Sequence, residues 1–150
     1  MADRITVTLH ELVGELDLFA DAWLRERHGV SFNLFEVLAT LAERAPIDIT
    51  GLAHCLRVTK AAVSKRVPAL VADGWITATP GDGRRVVLAL TARGAELVRV
   101  AGGELEAAFT EMLADPRLDP AHSPAGIEPA DLNAHLSILT EIVIAKGRPT

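Results

Sequence analysis

Residues 58–76 read VTKAAVSKRVPALVADGWI, and this stretch decides the fold. Thr59 is a good helix N-cap and Asp73-Gly74 is a good stop, so the stretch predicts a helix over Thr59–Ala72. At 100° per residue, the large apolar side chains of this helix fall within one sector, which must face a core. These side chains belong to Val63, Val67 and Leu70.

The opposite side of this helix carries small or basic residues, with no acidic side chain before Asp73. A helix that enters a major groove needs small side chains for close approach, and hydroxyl or ammonium groups for base edges and phosphates. Its N-terminus is also a site for a backbone phosphate. A solvated surface helix shows the same pattern, so the helix alone leaves both readings open. The predicted DNA contacts on it are Thr59, Lys60, Ala61, Ser64, Lys65 and Arg66.

The elements on either side complete a compact unit. Ile49 predicts a brief extended stretch, after which Thr50 is expected to cap a short helix. On the other side, strands at Trp75–Thr79 and Arg84–Leu90 are predicted with a turn between them. Helix, turn, helix and hairpin within 50 residues is the order of a winged helix. Arginines at the hairpin tip suit a narrow minor groove, although a solvated turn is the alternative. These arginines are Arg84 and Arg85.

Apolar spacing predicts four further helices around this unit. Thr8 and Glu11 have the spacing of a capping box in the first of them. Gly102-Gly103 lies inside the third and predicts a bend or a close helix contact. Pro129 suits the first turn of the last one. The predicted ranges are Thr8–Arg27, Ser31–Arg44, Thr91–Ala114 and Pro129–Lys146, with a loop at Asp115–Glu128.

The predicted fold class is mainly α with a small β-hairpin wing. We place a winged helix-turn-helix DNA-binding domain at 46–94 and a helical dimerisation region at 1–45 and 95–150. The flanking helices carry more apolar surface than a small winged helix covers alone, which predicts a homodimer. The last helix is expected to bury Leu132, Leu136, Leu139 and Val143.

The charge of the chain is unevenly distributed. The net charge of −5 is unusual for a protein that binds a polyanion. Residues 46–94, however, hold seven basic against three acidic residues, a net charge of +4, which leaves −9 on the rest. A basic segment inside an acidic scaffold is the pattern of a nucleic-acid reader, although chance clustering gives it too.

The span from Thr50 to Gly94 resembles the winged-helix domain of the MarR family of bacterial regulators. Closely matched residues cover about a third of the chain, and the flanking helices match in order and approximate length. Trp75, where a smaller aliphatic is commoner, and Pro68 inside the helix depart from the family pattern. The matching residues are Leu52-Ala53, Val58-Thr59, Val63-Ser64, Leu70, Asp73-Gly74-Trp75-Ile76, Asp82 with Arg84, and Leu90-Thr91 with Gly94.

The resemblance implies a homodimer that binds a pseudo-palindromic operator. It implies that the helix over Thr59–Ala72 lies in the major groove. It also implies that Arg84 contacts the minor groove with support from Asp82. A small, often aromatic, ligand that releases DNA is implied as well, without residues for its site.

The remaining chemistry is sparse. The single cysteine, Cys55, excludes an internal disulfide and suits a reducing cytoplasm. We expect it to be buried and inert beside Leu52 and Leu56. The five histidines show no metal-ligand spacing, no catalytic motif occurs, and no apolar run approaches the roughly 20 residues that span a bilayer. We therefore predict no metal, no cofactor, no membrane and no enzyme activity.

The sequence thus predicts a cytoplasmic, bacterial regulator that binds double-stranded DNA and a second copy of itself, and that acts as a ligand-responsive repressor. The alternative is a winged-helix module that binds protein instead of DNA. That module would bind any duplex weakly and without salt dependence. A small-molecule-binding protein with vestigial DNA affinity ranks third.

Overall fold

The computed structural model describes residues 4–118 and 127–147. Within these ranges the chain forms helices joined by one small antiparallel sheet, which confirms the predicted fold class. The helices are α1 (Ile5–His28), α2 (Phe32–Arg44), α3 (Ile49–Leu56), α4 (Lys60–Ala72), α5 (Ala92–Leu113) and α6 (Pro129–Lys146), and a 3₁₀ turn covers Pro116–Leu118. The strands are β1 (Ile47–Asp48), β2 (Ile76–Pro80) and β3 (Val86–Leu90).

The chain divides into two compact units, with the boundary between Gly103 and Glu104 inside α5. The assignment of 46–94 to DNA binding and of the flanks to dimerisation is a functional division, and it stays a prediction. No helix in the described ranges is both long enough and apolar enough to cross a membrane.

The core of the first unit is built from one to three buried side chains of each element except β1, whose two residues are partly buried. Burying a leucine or isoleucine stabilises a fold by about 1.5–3 kcal/mol, so these few residues supply much of the stability. The predicted buried face of α4, Val63, Val67 and Leu70, is confirmed. The largest fully buried side chains are Leu24, Leu38, Leu41, Leu52, Ile76 and Leu88.

Side-chain oxygens cap three of the helices as the sequence predicts. Ser31 Oγ accepts a hydrogen bond from the Leu34 N–H at 3.1 Å, and Thr59 Oγ1 accepts one from the Ala62 N–H at 3.1 Å. Thr91 Oγ1 accepts the Gly94 N–H at 3.1 Å. Each such cap stabilises its helix by about 1 kcal/mol.

Two predicted helix starts are wrong. The first helix begins at Ile5, so Thr8 lies inside it, and its hydroxyl donates to the Arg4 carbonyl at 3.3 Å instead of forming a capping box. The short helix α3 begins at Ile49, and the Asp48 carboxylate, not Thr50, caps it by accepting the Gly51 N–H at 2.7 Å. Ile49 is therefore helical, and the predicted extended stretch lies at the two residues before it, Ile47 and Asp48, which form β1.

The sheet has three strands in the order β1-β3-β2, so the predicted extended stretch, which lies at Ile47–Asp48, pairs with the predicted hairpin. In β3, Leu88 is fully buried and its predicted partners Val86 and Leu90 are partly buried. The strand begins two residues later than predicted, because Arg84 and Arg85 belong to the turn. The β1 residues Ile47 and Asp48 pair with Leu88 and Val87. The strand pairing therefore joins the start of α3 to the root of the wing.

The glycine pair in α5, Gly102-Gly103, is predicted to mark a bend or a close contact with another helix. A Cβ on Gly102 would lie 3.6 Å from Phe35 Cζ, so the close helix contact is confirmed.

Pro129 begins α6 as predicted, but the expected burial of the apolar side chains of α6 is wrong for a single subunit. Leu136 is 43%, Leu139 45% and Val143 63% exposed, while Leu132 is partly buried. Of the predicted loop, residues 119–126 lie outside the described ranges.

Candidate nucleic-acid interface

The outward face of α4 is small and cationic, as predicted. Ala61, Ser64 and Lys65 are all exposed, while Val63 and Val67 point inward. The helix continues through Pro68 to Ala72, with the proline on its exposed side, so the residues after it keep their faces. The polar groups on this face are free to approach a ligand as large as a duplex.

Arg66 lies on the flank of α4 rather than on the same face. It follows Lys65 by about 100° around the helix axis. Its side chain is partly buried and lines a cavity of about 80 Å³ between α2, α3 and α4, together with Glu36 and Val58. The structure thus separates Arg66 from the predicted contacts on the outward face.

The wing tip is a tight turn that exposes both arginines. Gly83 has a φ of +66°, which glycine adopts without strain, and the turn is closed by the Gly81 N–H donating to the Arg85 carbonyl at 2.9 Å. The Arg85 N–H donates to the Asp82 carbonyl at 3.3 Å. Among the described residues, no ion pair joins Asp82 to Arg84, so the support implied by the family resemblance is absent as a direct contact here.

Arg85 is held by an acidic residue that sequence reasoning did not single out. Its Nε donates to Asp48 Oδ2 at 3.0 Å, while the other carboxylate oxygen accepts the Gly51 N–H. The hydrogen bond from Gly51, followed by those from Arg85 and the charge of Lys60, lowers the pKa of Asp48 below its ordinary value, although desolvation opposes the shift. The carboxylate is therefore ionised at neutral pH.

Helix and wing meet in one cleft. A cleft of about 160 Å³ is lined by Lys60 at the start of α4, by Arg84 and Arg85 of the wing and by Asp48. The structure thus brings Lys60 together with Arg84 and Arg85, which lie 24 and 25 positions later in the sequence. Thr59 caps the adjacent end of α4.

A group of hydrogen bonds joins the turn after α4, at Gly74 and Trp75, to the start of α5, at Thr91 and Gly94. The Thr91 hydroxyl donates to the Gly74 carbonyl at 2.6 Å and accepts the Gly94 N–H. Arg93 lies 3.9 Å from the centre of the Trp75 ring and donates to the Asp73 carbonyl. Arg93, one of the basic residues of the central segment, thus stabilises the turn after α4. Its guanidinium stacks on the large Trp75 ring, which is a favourable cation–π contact.

The comparisons with known proteins agree with this geometry. The MarR family model matches residues 28–85, which run from the end of α1 to the wing arginines. This segment of the chain, somewhat more than a third of its length, is therefore similar to the MarR family. No curated protein sequence is significantly similar to the chain.

The fold is similar to that of several solved structures. One is Staphylococcus aureus MarR in complex with salicylate and kanamycin, with a TM-score of 0.74 and 16% identity over 96% of this chain and 92% of that one. Another is Streptococcus pneumoniae FabT in complex with DNA, with a TM-score of 0.69 and 17% identity over 93% of both chains. A third is the transcriptional regulator BldR from Sulfolobus solfataricus, with a TM-score of 0.70 and 21% identity over 94% of this chain and 99% of that one. At these identities the likeness shows a shared fold.

The single cysteine lies on the surface, not in the core as the sequence suggested. Cys55 is exposed, and the expectation that it is buried is wrong. The short helix α3 turns Leu52 and Ala53 inward, and a residue two positions after Ala53 lies about 200° around the axis on the outer side. In residues 4–118 and 127–147, no three potential metal-ligating side chains lie together.

Exposure makes Cys55 available to reagents in the folded protein. We expect N-ethylmaleimide to modify the native chain once, to completion and without denaturant, and we expect Cys55→Ser to stay unmodified. Mass spectrometry over a time course measures both. Modification that occurs only after unfolding would show that the thiol is shielded.

Proposed function

We propose that this protein is a DNA-binding transcriptional regulator, a ligand-responsive repressor that binds a pseudo-palindromic operator as a homodimer. The observation that supports this best is the meeting of Lys60 and Arg84 in one cleft beside the outward face of α4. In a chain with a net charge of −5, such a concentration of exposed basic groups suits a polyanionic partner.

Each basic or small group has a distinct task in this proposal. The N-terminus of α4, capped by Thr59, offers backbone N–H groups to a phosphate. Ala61 permits close approach to the major groove, and Ser64 and Lys65 reach base edges or phosphates. Arg84 at the wing tip enters the adjoining minor groove, where the negative potential is concentrated.

Solved structures of the same fold support the DNA partner. FabT is in complex with DNA, and so is MepR of Staphylococcus aureus, whose fold matches with a TM-score of 0.68. The protein-interaction module remains the rival function. It differs in its salt dependence, because binding through phosphates weakens steeply as counterions compete.

The proposed function is tested by selecting fragments of genomic DNA from the source organism on the purified protein. We expect enriched fragments to share an inverted repeat whose half-sites lie about one helical turn apart. Absence of any enriched fragment at low ionic strength, together with a protein partner recovered by pull-down, would favour the rival module.

Apolar surface supports the homodimer. Monomeric proteins seldom leave large apolar side chains exposed in series along a helix. In α1 these are Ile5, Leu12, Val13 and Leu18, and in α6 they are Leu136, Ile138, Leu139, Ile142, Val143 and Ile144. A second copy of the chain would cover such stripes by two-fold symmetry.

We expect Leu139→Glu to shift the protein from dimer to monomer. Each subunit would place a charge where a leucine is buried, and losing two buried leucines costs about 3 kcal/mol or more, over a hundredfold in the dissociation constant. Sedimentation velocity measures the shift, and the exposed Glu141→Gln on the same helix is the control. A wild-type protein that is monomeric at tens of micromolar would refute the dimer.

A small aromatic ligand is part of the proposal because salicylate is bound in the similar Staphylococcus aureus MarR structure. Addition of salicylate is expected to raise the Tm of the free protein and to release the selected DNA fragment. The residues of such a site are left open.

A further inference from the structure

The cleft between α4 and the wing contains one acidic residue among three basic ones. Asp48 comes from β1, Lys60 from the start of α4, and Arg84 and Arg85 from the wing. The Asp48 side chain is 22% exposed and lies 3.0 Å from Arg85 Nε. An anionic oxygen of the protein therefore already occupies the position that a phosphate oxygen of a ligand would take against Arg85.

Asp48 is held in this position by more than the arginine. Its Oδ1 accepts the Gly51 N–H, and its backbone pairs with Val87 in β3, close to the root of the wing. The carboxylate is thus fixed by α3 and by the sheet, whereas the Arg85 side chain is 61% exposed and has a flexible stem. Arg85 is the member of the pair that moves when a competing anion arrives.

Resting on the proposed function, we propose that Asp48 limits the sequence-independent affinity for DNA by holding Arg85 on the protein and away from the DNA backbone. Arg84 has no ion pair among the described residues, so it remains the wing arginine that reaches the groove. The two neighbouring arginines therefore have different roles, and Arg85 leaves the set of predicted DNA contacts as long as Asp48 is ionised.

Asp48→Asn removes the negative charge that pairs with Arg85 and keeps a side-chain oxygen that can cap α3. Asparagine caps a helix about as well as aspartate, so α3 and the Tm should be preserved. The amide holds Arg85 far more weakly, which frees the guanidinium for a phosphate. We expect this variant to bind duplex DNA about three- to tenfold tighter, with a salt slope that is steeper by about 0.9.

The gain is expected to be equal on a selected genomic fragment and on a scrambled duplex, because a phosphate carries no sequence information. Fluorescence anisotropy at several salt concentrations measures both affinities. Arg85→Ala in the wild-type background is expected to change affinity less than twofold. In the Asp48→Asn background, the same substitution is expected to remove the whole gain, and this double variant has the net charge of the wild type.

Asp73→Asn is the charge-matched control. It removes the same negative charge from an exposed position in the same central segment without releasing an arginine, and it is expected to tighten binding less than twofold. Equal affinities of the Asp48→Asn and Asp73→Asn proteins would overturn the inference. So would a tenfold loss on Arg85→Ala alone, because Arg85 would then contact DNA despite Asp48. A wild-type protein that binds no duplex would instead overturn the proposed function, and this inference with it.

Discussion

Replacing Gly94 by alanine is expected to destabilise the folded protein by about 3 kcal/mol. A Cβ at this position would lie 2.4 Å from the Trp75 carbonyl oxygen, far inside contact distance, and 3.2 Å from Leu90 Cδ2. The carbonyl cannot move away easily, because it accepts the Thr91 N–H at 3.1 Å. The clash would therefore push α5 away from the end of α4. It would also weaken the hydrogen bonds that join Thr91 to the Gly74 and Trp75 carbonyls.

Gly103→Ala is the matched control for this prediction. Gly103 lies in the same helix, and a Cβ there would meet nothing within 4 Å. Alanine at an open helical position is expected to stabilise the protein by up to about 1 kcal/mol. Urea unfolding followed by circular dichroism should move the two midpoints in opposite directions. Equal midpoints for Gly94→Ala and the wild type would mean that α5 does not approach Trp75 this closely.

The second large effect is expected from Arg84→Ala, which should weaken binding to a selected duplex by at least about tenfold. Arg84 is exposed at the wing tip and lines the same cleft as Lys60. Its removal takes away the wing's free guanidinium while leaving the turn, which is closed by backbone hydrogen bonds, intact. Affinity measured by titration at moderate salt decides the outcome.

Two further variants separate charge from position. Arg99→Ala removes the same charge from an exposed site in α5, where Arg99 pairs with Glu96, and should change affinity less than twofold. Arg84→Lys keeps the charge but loses the planar fork, so an intermediate loss is expected. Equal losses for Arg84→Ala and Arg99→Ala would leave net charge as the sole cause and remove the wing from the site.

Local signals in the sequence predict local structure well in this protein. The spacing of Val63, Val67 and Leu70 predicts which face of α4 is buried, because helical periodicity depends only on neighbouring residues. The caps at Ser31, Thr59 and Thr91 are confirmed for the same reason. Thr8 fails because α1 already begins at Ile5, so the Thr8 N–H bonds to the Arg4 carbonyl and no helix start is left there to cap.

Features that depend on distant pairing could not be predicted. The contact between Asp48 and Arg85 spans 37 positions and requires that β1 join the sheet beside β3, and a two-residue strand leaves no periodic signal. The exposure of Cys55 depends on which side of the short helix α3 packs. For α6, the sequence predicts an apolar stripe, but only a second chain decides whether the stripe is buried.

In the proposed complex, a two-fold symmetric dimer presents the cationic helix α4 and the wing arginine Arg84 to DNA twice. Hydroxyl-radical footprinting of the wild-type protein on a selected genomic fragment tests this most directly. We expect protection with two-fold symmetry, centred on two major grooves about one helical turn apart and extended into the flanking minor grooves, where Arg84→Ala should lose the outer protection. Protection of a single half-site, or of none, would rule out binding by a two-fold symmetric dimer.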